Sequence, residues 1–225
     1  MNKGFYIAFE GIEGCGKSTQ SELLVAKLRQ EFSEQEIVLT REPGGTEISE
    51  AIRNVLLNPK ISSHQMEPLA EVYLFAAARA QSLREVIKPA LERGAVVIAD
   101  RSIYSSLAYQ AFGRELGVDR IWEINLPAIG RTLPDLVILP DIFVETGFAR
   151  ISNQEKDRME QEKLEFHQKV REGYLFLAQQ DENRFLVIDG SLPIETQAEL
   201  IWERVRTLIP NDEVRRELQI RKERE

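Results

Sequence analysis

Five short apolar runs recur along the chain: Phe5–Phe9, Ile37–Thr40, Ala95–Ala99, Leu136–Leu139 and Phe185–Ile188. Each is rich in β-branched residues and nearly continuous in apolarity, which predicts strands covered on both faces. Amphipathic stretches separate them. Leu24, Leu28 and Phe32 follow a glycine-rich loop at four-residue spacing, so a helix starts at about Ser18. Helical spacing also covers Ile48–Leu57, Leu69–Arg93, Ser105–Leu116, Arg120–Arg131, Leu164–Gln179 and Glu195–Leu208. Pro193 suits the first turn of the last of these, and Glu195 its positive end. Strand–helix alternation predicts an α/β fold with a five-stranded parallel sheet and helices on both faces. Ser152–Arg158 is polar and lacks apolar periodicity, so it reads as a flexible loop between two helices. There is no internal repeat.

With 225 residues, 43% of them hydrophobic, the chain can bury one sizeable core and is short for two. One domain is expected over residues 1–210, followed by a charged tail at 211–225 to which no function is assigned. No stretch reaches the ~18 apolar residues of a membrane helix. The N-terminus runs into the first strand without a signal-peptide layout. The single cysteine, Cys15, excludes an internal disulfide framework and fits a reducing cytosol, so a soluble cytoplasmic protein is expected. The formal charge of −8 makes nucleic acid and anionic membrane poor general partners. Phosphate substrates would then require cations gathered at one place, which makes individual arginines informative.

Gly11-Ile12-Glu13-Gly14-Cys15-Gly16-Lys17-Ser18 fits the phosphate-binding pattern G-x-x-x-x-G-K-[ST], between a strand and a helix as that loop requires. The glycines let backbone N–H groups approach phosphate oxygens, and the helix that continues through Thr19 points its positive end at the same anion. Lys17 offers a point charge to the β and γ phosphates of a nucleoside triphosphate, and Ser18 a hydroxyl to Mg2+. Asp100 ends the apolar run Ala95–Ala99 and is the candidate for the metal's acidic partner, the competing reading being a turn or cap residue. No N-K-x-D segment for guanine follows a strand, and motors are usually larger. That favours a small kinase with a second pocket for the acceptor.

Four further segments carry a resemblance. They are Thr40-Arg41-Glu42-Pro43-Gly44-Gly45-Thr46, the helical stretch from Tyr73 to Gln81, Asp100-Arg101 followed by Ser105 to Gln110, and Phe166 to Tyr174. Together with the phosphate loop they resemble the thymidylate kinases, in order from about Phe5 to Leu208. The resemblance implies a P-loop NTPase fold with a mobile lid at about 149–160, and transfer of phosphate from ATP-Mg2+ to dTMP on the way to dTTP. A homodimer is also implied.

The same resemblance implies an acceptor site. Phe75 would stack on thymine, although from pattern alone it reads as an ordinary core phenylalanine; Arg79 lies one turn away on the same helix face, a donor for a carbonyl oxygen of the pyrimidine ring. Arg101 and Arg53 would hold the dTMP phosphate, with Arg41 close enough to help, since a guanidinium can bind phosphate bidentately. The competing reading for each arginine is a surface ion pair. Glu13 would face the sugar hydroxyl. Pro43 would bring backbone to the acceptor, and Glu42–Pro43 is a candidate cis bond. Ser105, Ser106 and Gln110 would supply hydrogen bonds near the base.

The chain departs from the family in places. Its phosphate loop has no arginine, so a cation on the migrating phosphate is expected from the lid. Arg150 and Arg158 are the candidates and Lys156 a weaker one. On an unbroken helix the two arginines would stand ~12 Å apart, so joint action needs a loop between them. Ser102 stands where an aromatic residue is usual, Tyr104 where a polar one is common, and Ala78 and Ser82 replace polar or histidine positions. A kinase for dUMP or another pyrimidine nucleotide, and a catalytically silent nucleotide-binding regulator, are the alternatives to a dTMP kinase.

Overall fold

A computed structural model describes residues 4–61, 66–153 and 155–209; the charged tail at 211–225 lies outside them. Five strands form one parallel sheet: β1 (Phe5–Phe9), β2 (Ile37–Arg41), β3 (Val96–Asp100), β4 (Leu136–Asp141) and β5 (Phe185–Asp189). Their order is β2-β3-β1-β4-β5. All five match the apolar runs of the sequence: β1 keeps the same bounds, and the other four end one or two residues further toward the carboxyl edge.

Alternation along the strands divides the core. Ile7 and Phe9 of β1 point to the face covered by α1 (Lys17–Glu31) and α9 (Ile194–Leu208). Tyr6, with Val97 and Ala99 of β3, points to the other. That face carries α3 (Pro68–Ser82), α6 (Val118–Ile129) and α8 (Leu164–Gln180). The remaining helices are α2 (Glu47–Leu57), α4 (Lys88–Glu92), α5 (Ile103–Ser106) and α7 (Val144–Arg150).

Register sets the functional edge. Phe9 pairs with Asp100, and Arg41 with Asp100 on the other side. The chain therefore leaves β1, β2 and β3 at one level. Residues just beyond these ends, Glu10, Glu42 and Arg101, are brought together although they lie far apart in sequence.

Two helical expectations need correction. Leu69–Arg93 is not a regular α-helix throughout, because a π-helical stretch at Leu83–Ile87 joins α3 to α4. The stretch expected at Ser105–Leu116 starts earlier, at Ile103, and is π-helical over Leu107–Gly113. Hydrophobic spacing does not resolve a single wide turn inside a helical run, which is why both were read as plain helix. The short helix α7 was not marked, since seven residues carry too little periodicity.

The Leu107–Gly113 segment and α8 interlock through two glycines. A Cβ on Gly173 would lie 2.7 Å from the Phe112 ring, and one on Gly113 2.6 Å from the Phe166 ring. Phe166 is buried; Phe112 is only partly so, but the clash from Gly173 reaches its Cβ at 2.9 Å, which rotation of the ring alone does not relieve. Gly173→Ala should therefore lower stability by roughly 1–3 kcal/mol through overpacking, seen as a fall of several degrees in the thermal unfolding midpoint. An unchanged midpoint would refute this account of the interface.

Candidate active site

The phosphate loop runs from β1 into α1. Gly14 and Gly16 take φ values of 70° and 101°, left-handed conformations that other residues adopt at a cost. A Cβ on Gly14 would also come within 2.2 Å of the Gly147 carbonyl oxygen, so α7 packs directly on the loop. Lys17 is largely buried and curls back over the loop. Its Nζ donates to the carbonyls of Ile12 (2.8 Å) and Gly11 (3.1 Å) and lies 3.6 Å from Cys15 Sγ. Ser18 and Thr19 are exposed at the start of α1. Ser18 Oγ donates to Asp100 Oδ2 at 2.9 Å, so the hydroxyl and carboxylate read from two distant segments meet.

Arg101 follows β3 with φ 76°, one of only two non-glycine residues with positive φ among those described. Its Nη1 donates to the Gly11 carbonyl, Ser105 Oγ and Tyr174 Oη at 3.1–3.2 Å. Its Nη2 donates to Glu13 Oε1 and Tyr109 Oη, both at 3.2 Å. Tyr109 also donates to Glu13 Oε1. On the other side of that carboxylate, His167 Nδ1 stands 3.3 Å from Oε2. Burial alone would raise the Glu13 carboxyl. His167, Arg101 and Lys17 outweigh it and bring the value from 4.5 down to about 2.

The acceptor side is built from the turn after β2. The Glu42–Pro43 bond is cis, as the sequence suggested. Arg53 Nη1 donates to the Pro43 carbonyl at 2.8 Å. Arg41 is exposed and forks onto Glu50 at 2.8 and 3.1 Å. Burial first, and the neighbouring Arg41 charge second, push the Arg53 guanidinium below its ordinary value, and Arg101 adds to the repulsion. Phe75 is half-buried on α3. Arg79 is fully buried, with Nε on Glu42 at 2.7 Å, Nη1 on Asn125 Oδ1 and Nη2 on the Ser102 carbonyl at 3.1 Å.

One cleft of about 720 Å³ joins these groups. Residues from Glu13 to Gln20 line it on the loop side, together with Asp100. Arg41, Pro43, Arg53, Phe75, Arg79, Arg101, Ser105, Ser106 and Gln110 line it on the acceptor side. Arg150 lines it as well, its guanidinium donating to the Gly14 carbonyl at 3.2 Å and the Gly190 carbonyl at 3.0 Å. Gly11 and Ile12 face Lys17 rather than the cleft. Arg158 is not part of the lining. Its Nε donates to the Leu56 carbonyl at 2.6 Å, and Nη2 stands 2.7 Å from the buried carboxylate of Glu71. The two lid arginines therefore point to different places, one to the phosphate loop and one to the acceptor helices.

The family model described as thymidylate kinase matches residues 9–201. The chain belongs to the thymidylate kinase family. It is 47% identical over 210 residues to the thymidylate kinase of Citrifermentans bemidjiense, covering 90% of this chain and 92% of that one. With the thymidylate kinase of Bacillus licheniformis the identity is 44% over 209 residues, covering 92% and 95%. The crystal structure of thymidylate kinase from Ehrlichia chaffeensis superposes with a TM-score of 0.73 at 30% identity, covering 91% of this chain and 99% of that one. The five-stranded parallel sheet with flanking helices is thus the P-loop NTPase fold of this family.

Several site residues escaped sequence reasoning. Glu10 and Asn125 have no charge pattern or spacing that marks them. Tyr109, His167 and Tyr174 lie in the segments that carry the family resemblance, but nothing in their spacing points to Glu13 or Arg101. Tyr109 and Tyr174 are both fully buried hydroxyls, and a buried tyrosine is a common core residue whose partner only the fold reveals.

Glu13 leads to a pH prediction. Its carboxyl titrates near 2 in the folded chain against an ordinary 4.5. As pH falls, the unfolded chain takes up this proton first. The ionised carboxylate therefore adds stability above pH 4.5 that drains away toward about 2. Glu13→Gln should flatten the loss of unfolding free energy across that window in urea titrations at stepped pH. Equal slopes in the two proteins would show that the charge is not held as described.

Proposed function

We propose that this chain phosphorylates dTMP to dTDP with ATP by direct in-line transfer, supplying dTTP synthesis. The observation that carries this reading is the single cleft shared by the Lys17 loop, the Arg101–Arg53 pair and Phe75. ATP would lie with its phosphates along the loop, against backbone N–H groups, Lys17 and the α1 N-terminus. The dTMP phosphate would meet Arg101 and Arg53, with Arg41 at the rim. Mutual repulsion among these guanidiniums favours an anion between them. Phe75 supplies a stacking face, and Arg79, Ser106 and Gln110 supply polar groups around the base. Glu13 would face the sugar hydroxyl, with Tyr109 hydrogen-bonded beside it.

The acceptor phosphate is already anionic, so no strong general base is required. Positioning and neutralisation of the migrating charge supply most of the acceleration. Arg150 is the lid cation best placed to act, because it already reaches the Gly14 carbonyl. Arg158 holds the far end of the lid to Glu71. Closure of the lid excludes water and protects ATP from hydrolysis.

Mg2+ fits the site. Ser18 and Asp100 are close enough to share one ion, and magnesium in nucleotide sites takes one or two protein oxygens and fills the rest with phosphate and water. No group of three metal-ligating side chains occurs among the described residues, in keeping with such a sparse site. Bound there, the ion would screen the phosphate charges. No helix among the described residues is long and apolar enough to cross a membrane. We read the protein as a cytoplasmic homodimer by analogy with its family, and exposed Tyr73 and Leu126 are apolar surface available to such an interface.

A coupled assay with purified protein tests the assignment. dTMP should be the preferred acceptor. Rapid turnover of another nucleotide with negligible turnover of dTMP would overturn it. Lys17→Met should reduce the rate by on the order of a hundredfold or more. Arg150→Ala should lower kcat by on the order of a hundredfold, while Arg158→Ala should change kcat by less than about tenfold. Equal losses in kcat would refute the division of labour between the two lid arginines.

A further inference from the structure

Glu10 follows β1 directly and is fully buried at the carboxyl edge of the sheet, beside the phosphate loop. An acidic group here is unexpected, since two anionic substrates are to meet close by. No cation pairs with it among the described residues. Four neutral donors hold it instead. Oε1 accepts from the Ser102 N–H and the Ser102 hydroxyl, both at 2.7 Å. Oε2 accepts from Ser105 Oγ at 2.6 Å and Tyr174 Oη at 2.8 Å.

Three of these four donors touch Arg101 or belong to its peptide. The Ser102 amide is the peptide that leaves Arg101, and the Arg101 amide donates to the Phe9 carbonyl at 2.9 Å. The left-handed turn is thus tied to the end of β1 on both sides. That conformation is costly in a non-glycine residue and persists only where its surroundings over-determine it. Ser105 and Tyr174 are two of the three oxygens that receive Arg101 Nη1. A hydroxyl has one proton. The two hydroxyls also stand 2.9 Å apart, where either could donate to the other; the Glu10 carboxylate favours the arrangement in which both give their protons to it, so that each oxygen is left to accept from the guanidinium.

We propose that Glu10 is the positioning residue of the acceptor-phosphate clamp. It makes no contact with substrate; its negative charge orders two hydroxyls and one peptide so that Arg101 presents its guanidinium in a preset orientation. This inference rests on the proposed role of Arg101 as the grip on the acceptor phosphate.

A double-mutant cycle on dTMP affinity tests it, read by calorimetric titration, with thermal unfolding measured for every variant. Arg101→Ala should weaken dTMP binding at least about tenfold. Undiminished affinity there would sink the acceptor reading and this inference together. If Arg101→Ala does weaken binding, the cycle isolates Glu10. Glu10→Gln keeps the shape but replaces an acceptor by a donor, and should weaken dTMP about tenfold in the otherwise native protein and less than about twofold in the Arg101→Ala background. Equal losses in both backgrounds would mean that Glu10 acts on the fold at large, which overturns the proposal and leaves the acceptor reading intact. If Glu10→Gln does not fold, Tyr174→Phe passes through the same cycle. Its loss should likewise vanish without Arg101, and an additive loss overturns the proposal.

Discussion

At the end of β3 the chain passes through Arg101 with φ 76°, and the direction of its side chain follows from that turn. An extended residue here would send the guanidinium along the strand, away from the loop. The left-handed turn brings it back over Gly11, whose carbonyl it reaches at 3.2 Å. The cation is thereby fixed beside the loop that holds Lys17. Parallel pairing of β1 with β3, with Phe9 opposite Asp100, makes this possible, because both chains leave the sheet at one level. A register slip of two residues would separate the loop from Arg101 by the length of a dipeptide.

Charge is handled by pairing rather than by excess. The chain is acidic overall, yet its cleft gathers five arginines and a lysine. Carboxylates placed behind them set their positions: Glu13 against Arg101, Glu42 against Arg79, Glu50 against Arg41. Among the described residues Arg53 hydrogen-bonds to the Pro43 carbonyl, and Arg41 and Arg101 press on it while Glu50 and Asp157 pull the other way. An anion placed between these guanidiniums would relieve that repulsion. The exposed Arg41–Glu50 pair contributes little to folding, since such pairs are worth about 0–1 kcal/mol. Its arginine is correspondingly cheap to redirect.

The sheet was legible in the sequence because each strand is apolar on both faces and nearly unbroken. The phosphate loop was legible because its glycines, lysine and serine are local. Arginine positions were legible only through family resemblance, since nothing in their spacing separates a clamp from a surface ion pair. What stayed hidden depends on contacts between distant segments. Glu10 meets Tyr174 across 164 positions. The serine at 102, noted in the sequence only as a departure from an aromatic position, supplies two of the donors to Glu10. The division between Arg150 and Arg158 was also hidden, because only the fold shows that Glu71 waits for one of them.

Arg79 shows why position matters more than presence. Sequence placed it one turn from Phe75 as a donor for the pyrimidine ring. In the fold, three of its nitrogens are already bound to Glu42, Asn125 and the Ser102 carbonyl. Asn125 is itself oriented by donating to the Ile121 carbonyl at 2.9 Å, which leaves its oxygen for Arg79. A guanidinium held on three edges cannot swing to suit different bases. Whatever N–H it still offers into the cleft points in one direction. A missing methyl on the ring changes binding by only ~1–3 kcal/mol, whereas a mismatched polar edge leaves a buried donor without a partner and is rejected more strongly. On the proposed placement of a pyrimidine beside Phe75, discrimination by polar pattern should therefore be sharper than discrimination by size, with the rigidity of Arg79 as its physical source.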